Sequence, residues 1–402
     1  MARPSRSRRS PMSVHSHRMR RVFWRRRIVV VIILLACVVV GRSYAGALRG
    51  PGDGVAAKSA EWARDHRLGA IVTLAEEVQY RLHPPTTGGA LSASSQQLLT
   101  GDHNGAAAAT EAPSPAVRGK EVATQLPPIP SPVAHPARGE GVWRVVEGTP
   151  QHPLIEEAFV RPDRVHTSYL TGVAWMSRGV RFLWHPGYSD PGTAGFTQRD
   201  FVPRAEYGGL LATFNGGFKI KDARGGIFDH GHEVGSLVPG AASFVIFRDG
   251  HATVGTWGSD VTLTPDVVYV RQNLRPLVRK GALVDHLNSS IESRWGATLG
   301  GAYAVWRSGV GVTAKGDVIY ACGDAMTVQD LADTLRRAGA VTAMQLDINR
   351  AWVSFMTYHD DAGTPVPAKL VNFERPAQRY LSPMSRDFFA VYAPRSPSPL
   401  LQ

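Results

Sequence analysis

The clearest structural signals of the chain lie in Val305–Trp352, which reads VWRSGVGVTAKGDVIYACGDAMTVQDLADTLRRAGAVTAMQLDINRAW. Its first part holds two β-rich runs, at 305–312 and 318–322, on either side of the turn pair Lys315-Gly316. Two such runs around a short glycine-containing turn are typical of a β-hairpin. This part therefore predicts a hairpin that carries an arginine, Arg307, on its first strand.

The second part of the stretch predicts a helix and then another strand. Thr327, with Asp330 three positions later, has the spacing of a capped helix start, and Gly339 stands where a left-handed residue ends a helix. Between them, apolar residues recur at helical spacing. The apolar run 341–346 follows and leads into Asp347. We expect this carboxylate at the end of a strand, facing a cleft.

Upstream of this stretch, short β-rich runs follow one another with turn signals between them. Few further helices are indicated, so the pattern predicts an α+β domain over residues 140–395, built on a twisted, largely antiparallel sheet. No repeat, phosphate-binding loop or dinucleotide motif is present, and no cofactor is predicted. The upstream runs are 167–176, 180–184, 210–214, 242–247, 252–257 and 267–270.

The positive charge of the chain is concentrated at its N-terminus. The formal net charge is +12, and residues 1–27 contain ten arginines and no acidic residue. The remainder is therefore close to neutral. A basic tail, predicted to be cytoplasmic, explains the charge, and a nucleic-acid-binding surface is not indicated.

An apolar run follows the tail and predicts export of everything after it. The run itself covers residues 28–41, which is short for a membrane span, but residues 22–24 and 43–48 can extend the helix, so 28–48 is predicted as a transmembrane anchor. The preceding arginines predict a cytoplasmic N-terminus. A cleaved twin-arginine signal, with Arg20-Arg21 and an Ala45-Gly46-Ala47 cleavage site, is the alternative; a lipoprotein box ending at Cys37 is a weaker one. Either way we expect a membrane-anchored or exported protein whose C-terminal domain is extracytoplasmic.

Two segments connect the predicted anchor to the domain. Residues 55–82 have an apolar face at helical spacing, which predicts a stalk or pairing helix. Residues 83–138 are rich in Pro, Ala, Gly, Ser and Thr, which predicts a flexible linker.

Several other polar residues carry weaker signals. The run 229–233 offers two histidines and two acids, but it lacks a predictable third ligand and has the character of a loop, so no metal is predicted. Cys322 on an apolar strand is expected to be a packed side chain. We interpret Asp285 and His286 as surface-loop residues and Asp324 as a residue that favours the helix dipole.

Two motifs carry a resemblance to a known family. One is Asn215-Gly216-Gly217-Phe218 after a strand, and the other is Leu346-Asp347-Ile348-Asn349. With the intervening hairpin and helix, this order resembles the phosphodiester glycosidase family over residues 140–395. The family shows Leu-Asp-Gly-Gly at the second motif, whereas this chain has Ile348 and Asn349.

The resemblance implies a hydrolase-like domain that acts on phosphodiester-linked sugars of the cell envelope. It assigns Arg307 to the phosphate and Asp347 to acid–base or stabilising chemistry. Each role has a structural alternative: a surface ion pair for Arg307, a turn cap for Asp347 and turn geometry for Asn215. An envelope glycan-binding module without turnover is the alternative function. The residues expected to bind the sugar are Asn215, Gly216, Gly217, Phe218 and Asn349.

Overall fold

The structure is a computed structural model, and it describes the chain continuously over residues 82–101, 126–287 and 304–395. Within its described residues, no helix is long and apolar enough to cross a membrane. Residues 1–26 of the predicted tail and part of the predicted anchor at 28–48 lie outside the described residues, so export stays a prediction. Outside the continuous ranges, the described positions are 27, 30, 31, 34, 37–49, 55, 58, 59, 62, 63, 66, 68, 72, 78 and 295.

The chain divides into two compact units, of which the smaller comprises residues 1–50 and 55–69. Residues 37–49 in this unit are helical. The Trp62 ring stacks on His66 with 4.4 Å between ring centroids, and its Nε1 donates to Ser43 Oγ at 3.0 Å. These side chains join the two stretches of this unit.

The larger unit, residues 51–54 and 70–402, holds all the strands named below. Its described helices are α1 (Ala93–Thr100), α2 (Ile220–Ala223) and α3 (Val328–Arg337). Its strands are β1 (Arg144–Gly148), β2 (Pro153–Val160), β3 (Thr171–Met176), β4 (Arg181–His185), β5 (Leu210–Asn215), β6 (Ile227–Asp229), β7 (His232–Val234), β8 (Ala242–Phe247), β9 (Ala252–Thr256), β10 (Val267–Gln272), β11 (Pro276–Arg279), β12 (Ala282–Leu283), β13 (Val305–Thr313), β14 (Val318–Met326), β15 (Ala340–Gln345), β16 (Phe355–Asp361), β17 (Thr364–Lys369) and β18 (Phe388–Tyr392).

These strands form three sheets. The largest has eight strands in the order β1-β2-β3-β14-β13-β15-β11-β12. The other two have five strands each, in the orders β7-β6-β10-β8-β9 and β17-β16-β5-β18-β4. Every pairing between the named strands is antiparallel. The predicted antiparallel sheet architecture with few helices is therefore confirmed, and the strands are divided among three sheets.

The predicted hairpin, helix and strand in Val305–Trp352 are present as β13, β14, α3 and β15. Thr327 accepts from the backbone N–H of Asp330, and the Asp330 side chain accepts from the N–H of Thr327, so the capping box is complete. Gly339 has a φ of 105°, a backbone conformation that disfavours any residue with a Cβ. The local signals of this stretch thus agree with its tertiary structure.

The eight-stranded sheet has two different faces. Helix α3 packs on one of them, called here the helix face, where Leu331 and Leu335 share a core with Ile319. The opposite face, called the pocket face, carries Tyr320, whose ring lies 5.4 Å from Phe214 of β5 between centroids. Residues of β13 and β14 alternate between these faces because successive strand side chains point in opposite directions.

Two glycines of β13 make room for its neighbours on the helix face. A Cβ on Gly309 would lie 3.0 Å from Leu335 Cδ1 of α3, and one on Gly311 would lie 2.7 Å from the Cβ of Ala340 in β15. Gly309 therefore allows the close approach of α3, and Gly311 allows the close approach of the start of β15.

Parts of the predicted linker pack on the sheets. Leu99 of α1 is 1% exposed and belongs to the main core, and Leu98 O accepts from Arg144 Nη1 at 2.6 Å. Farther along, Ile129 is buried beside Trp143, whose indole donates to Pro127 O at 3.0 Å. Residues 84–101 and 126–138 are thus attached to the domain at both described ends of the predicted linker.

Candidate functional site

The ends of several strands meet at one pocket in the larger unit. β5 ends at Asn215, β15 ends two residues before Asp347, and β18 begins just after Asp387. The pocket contains about 210 Å³ of empty space, counting the part open to solvent. It is lined by Asn215, Gly216, Gly217, Asp347, Trp352, Arg379, Tyr380, Arg386 and Asp387.

Asp347 uses its two carboxylate oxygens differently. Oδ1 accepts from the backbone N–H of Asn349 at 2.8 Å, which caps the turn after β15. Oδ2 lies 3.3 Å from Nη2 of Arg386. The residue is 4% exposed, so its carboxylate is largely withdrawn from solvent and paired with a cation at the pocket. Capping and pocket lining therefore coexist in the same side chain.

A second carboxylate, Asp387, is held rigidly at the pocket. Its Oδ2 accepts from Arg271 Nε at 2.8 Å and from Trp184 Nε1 at 3.1 Å. Burial is the largest influence on the pKa of Arg271 and lowers it, but Asp387, Tyr269 and Asp190 together raise this pKa above its ordinary value. Gly216 is required here because a Cβ would overlap the Asp387 carboxylate. The glycine therefore admits the carboxylate beside the backbone.

Two guanidinium groups line the same pocket. Nη1 of Arg379 donates to Ala351 O and to Ser354 Oγ, both at 3.3 Å. Within the described part of the chain, Nε of Arg379 has no hydrogen-bond partner, although the residue is only 2% exposed. Arg386 donates to Gly217 O at 3.0 Å in addition to its contact with Asp347. The arrangement presents buried positive charge that an anion can neutralise.

Trp352 lies among these cations. The guanidinium carbon of Arg386 is 5.3 Å from the ring centroid, that of Arg379 is 5.6 Å away and that of Arg375 is 4.4 Å away. Burial, with the neighbouring charge of Arg379, lowers the pKa of Arg375 to about 9. The indole therefore separates and partly stabilises three positive groups through its π face.

The Asn215 side chain is fully engaged within the protein. Its Oδ1 accepts from Tyr320 Oη at 2.8 Å and from Ser354 N at 3.1 Å. Its Nδ2 donates to Gly216 O at 2.9 Å and to Ser308 Oγ at 3.0 Å. Four hydrogen bonds use all the capacity of an amide, so the geometry favours the fixing of the loop, which was the alternative to sugar binding.

Arg307 lies on the helix face and is not among the pocket-lining residues. Its Nε donates to Met326 O at 2.8 Å, and its Nη1 donates to Gln345 Oε1 at 3.1 Å. The next residue, Ser308, faces the pocket side and donates to Asp347 O at 2.8 Å. The Arg307 side chain therefore does not lie in the pocket, where the predicted phosphate-binding role would require it, because strand alternation directs it to the opposite face of the sheet.

The other residues predicted to bind the sugar lie at or near the pocket, and the contacts of Phe218 and Asn349 are hydrogen bonds within the protein that fix the local backbone. Gly216 and Gly217 line it. Phe218 donates its N–H to Asn273 Oδ1 at 3.2 Å, and its carbonyl accepts from Arg271. Asn349 Oδ1 accepts from Ala351 N at 2.9 Å, and neither Phe218 nor Asn349 lines the pocket. Their roles in sugar binding stay predictions.

The weaker candidates lie elsewhere. Residues 229–233 form the hairpin of β6 and β7, and no group of three metal-ligating side chains is found in the part of the chain that the structure describes. Cys322 is fully buried, and burial raises the pKa of its thiol. Asp285 and His286 lie in a turn beyond β12, and burial raises the pKa of Asp324.

Sequence reasoning missed six residues of this region: Arg271, Trp352, Arg379, Tyr380, Arg386 and Asp387. A signal for two of them exists, because Arg386-Asp387 directly precedes the apolar run 388–392, and charged residues beside a buried strand reach the sheet edge. A similar signal marks Arg271, which continues the apolar run 267–270. Nothing local distinguishes Arg379 from a surface arginine.

Comparison with known proteins agrees with the motif analysis. Residues 208–347 match the family model described as phosphodiester glycosidase. The matched range includes Asn215 and Asp347 and ends before Trp352, Arg379, Arg386 and Asp387. No curated protein matches this chain.

Solved structures are similar at low identity. The zebrafish N-acetylglucosamine-1-phosphodiester alpha-N-acetylglucosaminidase catalytic domain, auto-inhibited by its pro-peptide, is 19% identical with a TM-score of 0.40, and the match covers 61% of this chain and 85% of that one. An exported-type protein from Burkholderia pseudomallei is 13% identical with a TM-score of 0.30, with coverage of 56% and 74%. A hypothetical protein from Synechocystis is 10% identical with a TM-score of 0.32, with coverage of 60% and 62%.

Proposed function

We propose that the pocket hydrolyses the bond between a sugar and a phosphodiester. The observation that carries this proposal is the meeting of two guanidinium groups and two carboxylates in one pocket, next to a segment that matches the phosphodiester glycosidase family. Arginine gives permanently charged, two-pronged contacts to phosphate oxygens. Most glycosidases use a pair of carboxylates to cleave the glycosidic bond.

Arg386 and Arg379 hold the phosphate in this proposal. Arg379 supports the assignment because its buried Nε lacks a hydrogen-bond partner among the described residues. Arg386 supports it because its Nη2 contacts two lining groups of the pocket, Gly217 O and Asp347 Oδ2, which places its positive charge there. These two residues take the role that the sequence had assigned to Arg307.

Asp347 and Asp387 act on the sugar in different ways. Asp347 carries acid–base chemistry, since its Oδ2 points to the pocket cation while Oδ1 fixes its orientation. Asp387, held by Arg271 and Trp184, supplies negative charge to the positive sugar centre that develops in the transition state. Asn215 positions both loops, because it bonds Gly216 O directly and reaches Asp347 O through Ser308.

The test is incubation of the full chain with a panel of methyl sugar-1-phosphodiesters in ¹⁸O-labelled water. The expected result is free sugar that carries the label, together with unlabelled methyl phosphate. Label in the phosphate instead would show cleavage of the phosphorus–oxygen bond and would contradict a glycosidase. Binding of panel members without release of sugar would support the alternative, a glycan-binding module, which is consistent with the use of Asp347 as a turn cap.

A further inference from the structure

Arg386 faces carboxylates in two directions. Its Nη2 lies 3.3 Å from Asp347 Oδ2, inside the pocket. Its Nε lies 3.8 Å from Asp190 Oδ2, and within the described residues this Nε makes no hydrogen bond. Asp347 lines the pocket and Asp190 does not. A guanidinium assigned to an anionic ligand is therefore already partly neutralised by a carboxylate that does not line the pocket.

Asp190 is fixed beside Arg386 by its own loop. Its backbone N–H donates to Ser385 O at 3.1 Å, directly next to Arg386 in the chain. Its Oδ2 accepts from Ile220 N at 3.1 Å, at the start of α2. Both contacts come from protein backbone, so the position of this carboxylate does not depend on a bound ligand. When it is ionised, its negative charge acts directly on Arg386.

The proposed reaction changes the charge of the ligand. Water adds its oxygen to the anomeric carbon, the bond between that carbon and the bridging oxygen breaks, and the electron pair stays on the phosphate oxygen. One water proton remains on the new sugar hydroxyl, and the other is released or taken up by the phosphate. The substrate phosphodiester carries one negative charge, whereas the phosphomonoester product carries nearly two at pH 7 and above.

We propose that Asp190 is a specificity residue that makes the pocket favour a monoanionic phosphodiester over a dianionic phosphomonoester. Its carboxylate opposes the second negative charge at Arg386, so the substrate binds and the product is released. This inference rests on the proposed function and adds to it the charge of the preferred ligand. Like charges placed this way act on specificity more than on total affinity.

The test uses Asp190→Asn in the full chain, because the asparagine oxygen can still accept from Ile220 N. The probes are dimethyl phosphate, a monoanion, and methyl phosphate, which is a dianion at pH 8 because its second pKa is about 6. A pH of 8 also allows for the raised pKa of Asp190, which burial causes and Arg386 opposes. Dissociation constants are measured by titration calorimetry for wild type, Asp190→Asn and the exposed control Asp222→Asn, which has the same change of charge on α2.

We expect Asp190→Asn to strengthen binding of methyl phosphate about tenfold and of dimethyl phosphate about threefold, since the Coulomb energy that is removed is proportional to the charge of the ligand. Asp222→Asn should change neither constant. Equal changes for both probes, no change for either, or the same pattern in the control would overturn the inference and leave the proposed function intact. If neither probe bound the wild type, the pocket would not be a phosphate site, and both the proposed function and this inference would be contradicted.

Discussion

Arg307 and Ser308 are neighbours on β13, yet they belong to different parts of the molecule. Arg307 extends over the helix face, where Met326 O and Gln345 accept its hydrogen bonds. Ser308 extends over the pocket face and links Asn215 to Asp347 O. The charged residue therefore stabilises the fold, and the small neutral residue orders the pocket.

The role of each residue therefore depends more on the face of the strand than on the kind of side chain. An arginine on a strand suggests a phosphate-binding role, but alternation along β13 directs Arg307 toward α3. Ser308 carries no functional signal in the sequence. If this division holds, activity depends on the pocket face and stability on the helix face.

The largest expected effect is on the pocket face, from Asp347→Asn. Loss of the charge should lower kcat by about 10²- to 10⁴-fold, because acid–base groups contribute that much. The asparagine oxygen can still cap Asn349, so the melting temperature should change little. Steady-state kinetics on the active panel member, alongside thermal melts, measure both. Asp361→Asn, at an exposed position, is the control and should retain the wild-type kcat. An unchanged kcat in Asp347→Asn would show that Asp347 takes no part in the reaction.

A second, smaller effect separates the two faces directly through a pair of matched substitutions. Arg386→Lys should raise KM about tenfold or more, because lysine lacks the two-pronged contact with phosphate. Arg307→Lys should leave KM unchanged and lower the free energy of unfolding by about 1–3 kcal/mol, because buried acceptors lose their donors. Kinetics and denaturant titrations of both variants provide the comparison.

The opposite pattern would contradict the assignment of phosphate binding to the pocket face. If Arg307→Lys raised KM while Arg386→Lys did not, the phosphate would belong to the helix face. An increase in KM for both variants would show that the two faces are coupled through the ends of β13 and β15, which pair at Gly309 and Gln345.

Local sequence signals predicted the parts of the fold that short-range chemistry determines. The capping pair Thr327 and Asp330, the turn at Lys315-Gly316 and the terminal Gly339 each have a stereochemical requirement that the residue type reveals. Partition into three sheets was not predictable, because it depends on which β-rich runs pair across long separations. The strands β6, β7 and β12 are also too short to give a pattern.

The pocket shows the same limit. Asn215 and Asp347 stand at strand ends within recognisable motifs, and the structure brings both to one pocket. Arg379 and Arg386 come from the last part of the chain and reach it through the tertiary fold alone. Their charge could not be distinguished from that of surface arginines until burial and neighbours were known.

The smallest expected effect lies outside the pocket, at Glu147 on the edge strand β1. Burial, with the nearby charge of Glu157, raises the pKa of Glu147 from 4.5 to about 7. Between these two pH values the folded protein keeps a proton that the unfolded chain has lost, so the free energy of unfolding falls as pH rises through this window. Above pH 7 the penalty is complete.

Glu147→Gln should therefore stabilise the protein at pH 8 and have little effect at pH 4.5. The shift corresponds to about 3 kcal/mol before solvent screening, and because this half-buried side chain is partly solvated we expect about 1 kcal/mol. Denaturant titrations at pH 4.5 and pH 8 measure the change, with the exposed Glu233→Gln as control. A stabilisation that is equal at both pH values would show that packing, and not the charge, is responsible. Because Glu147 does not line the pocket, KM and kcat should be those of the wild type, which separates charge burial at the sheet edge from charge at the pocket.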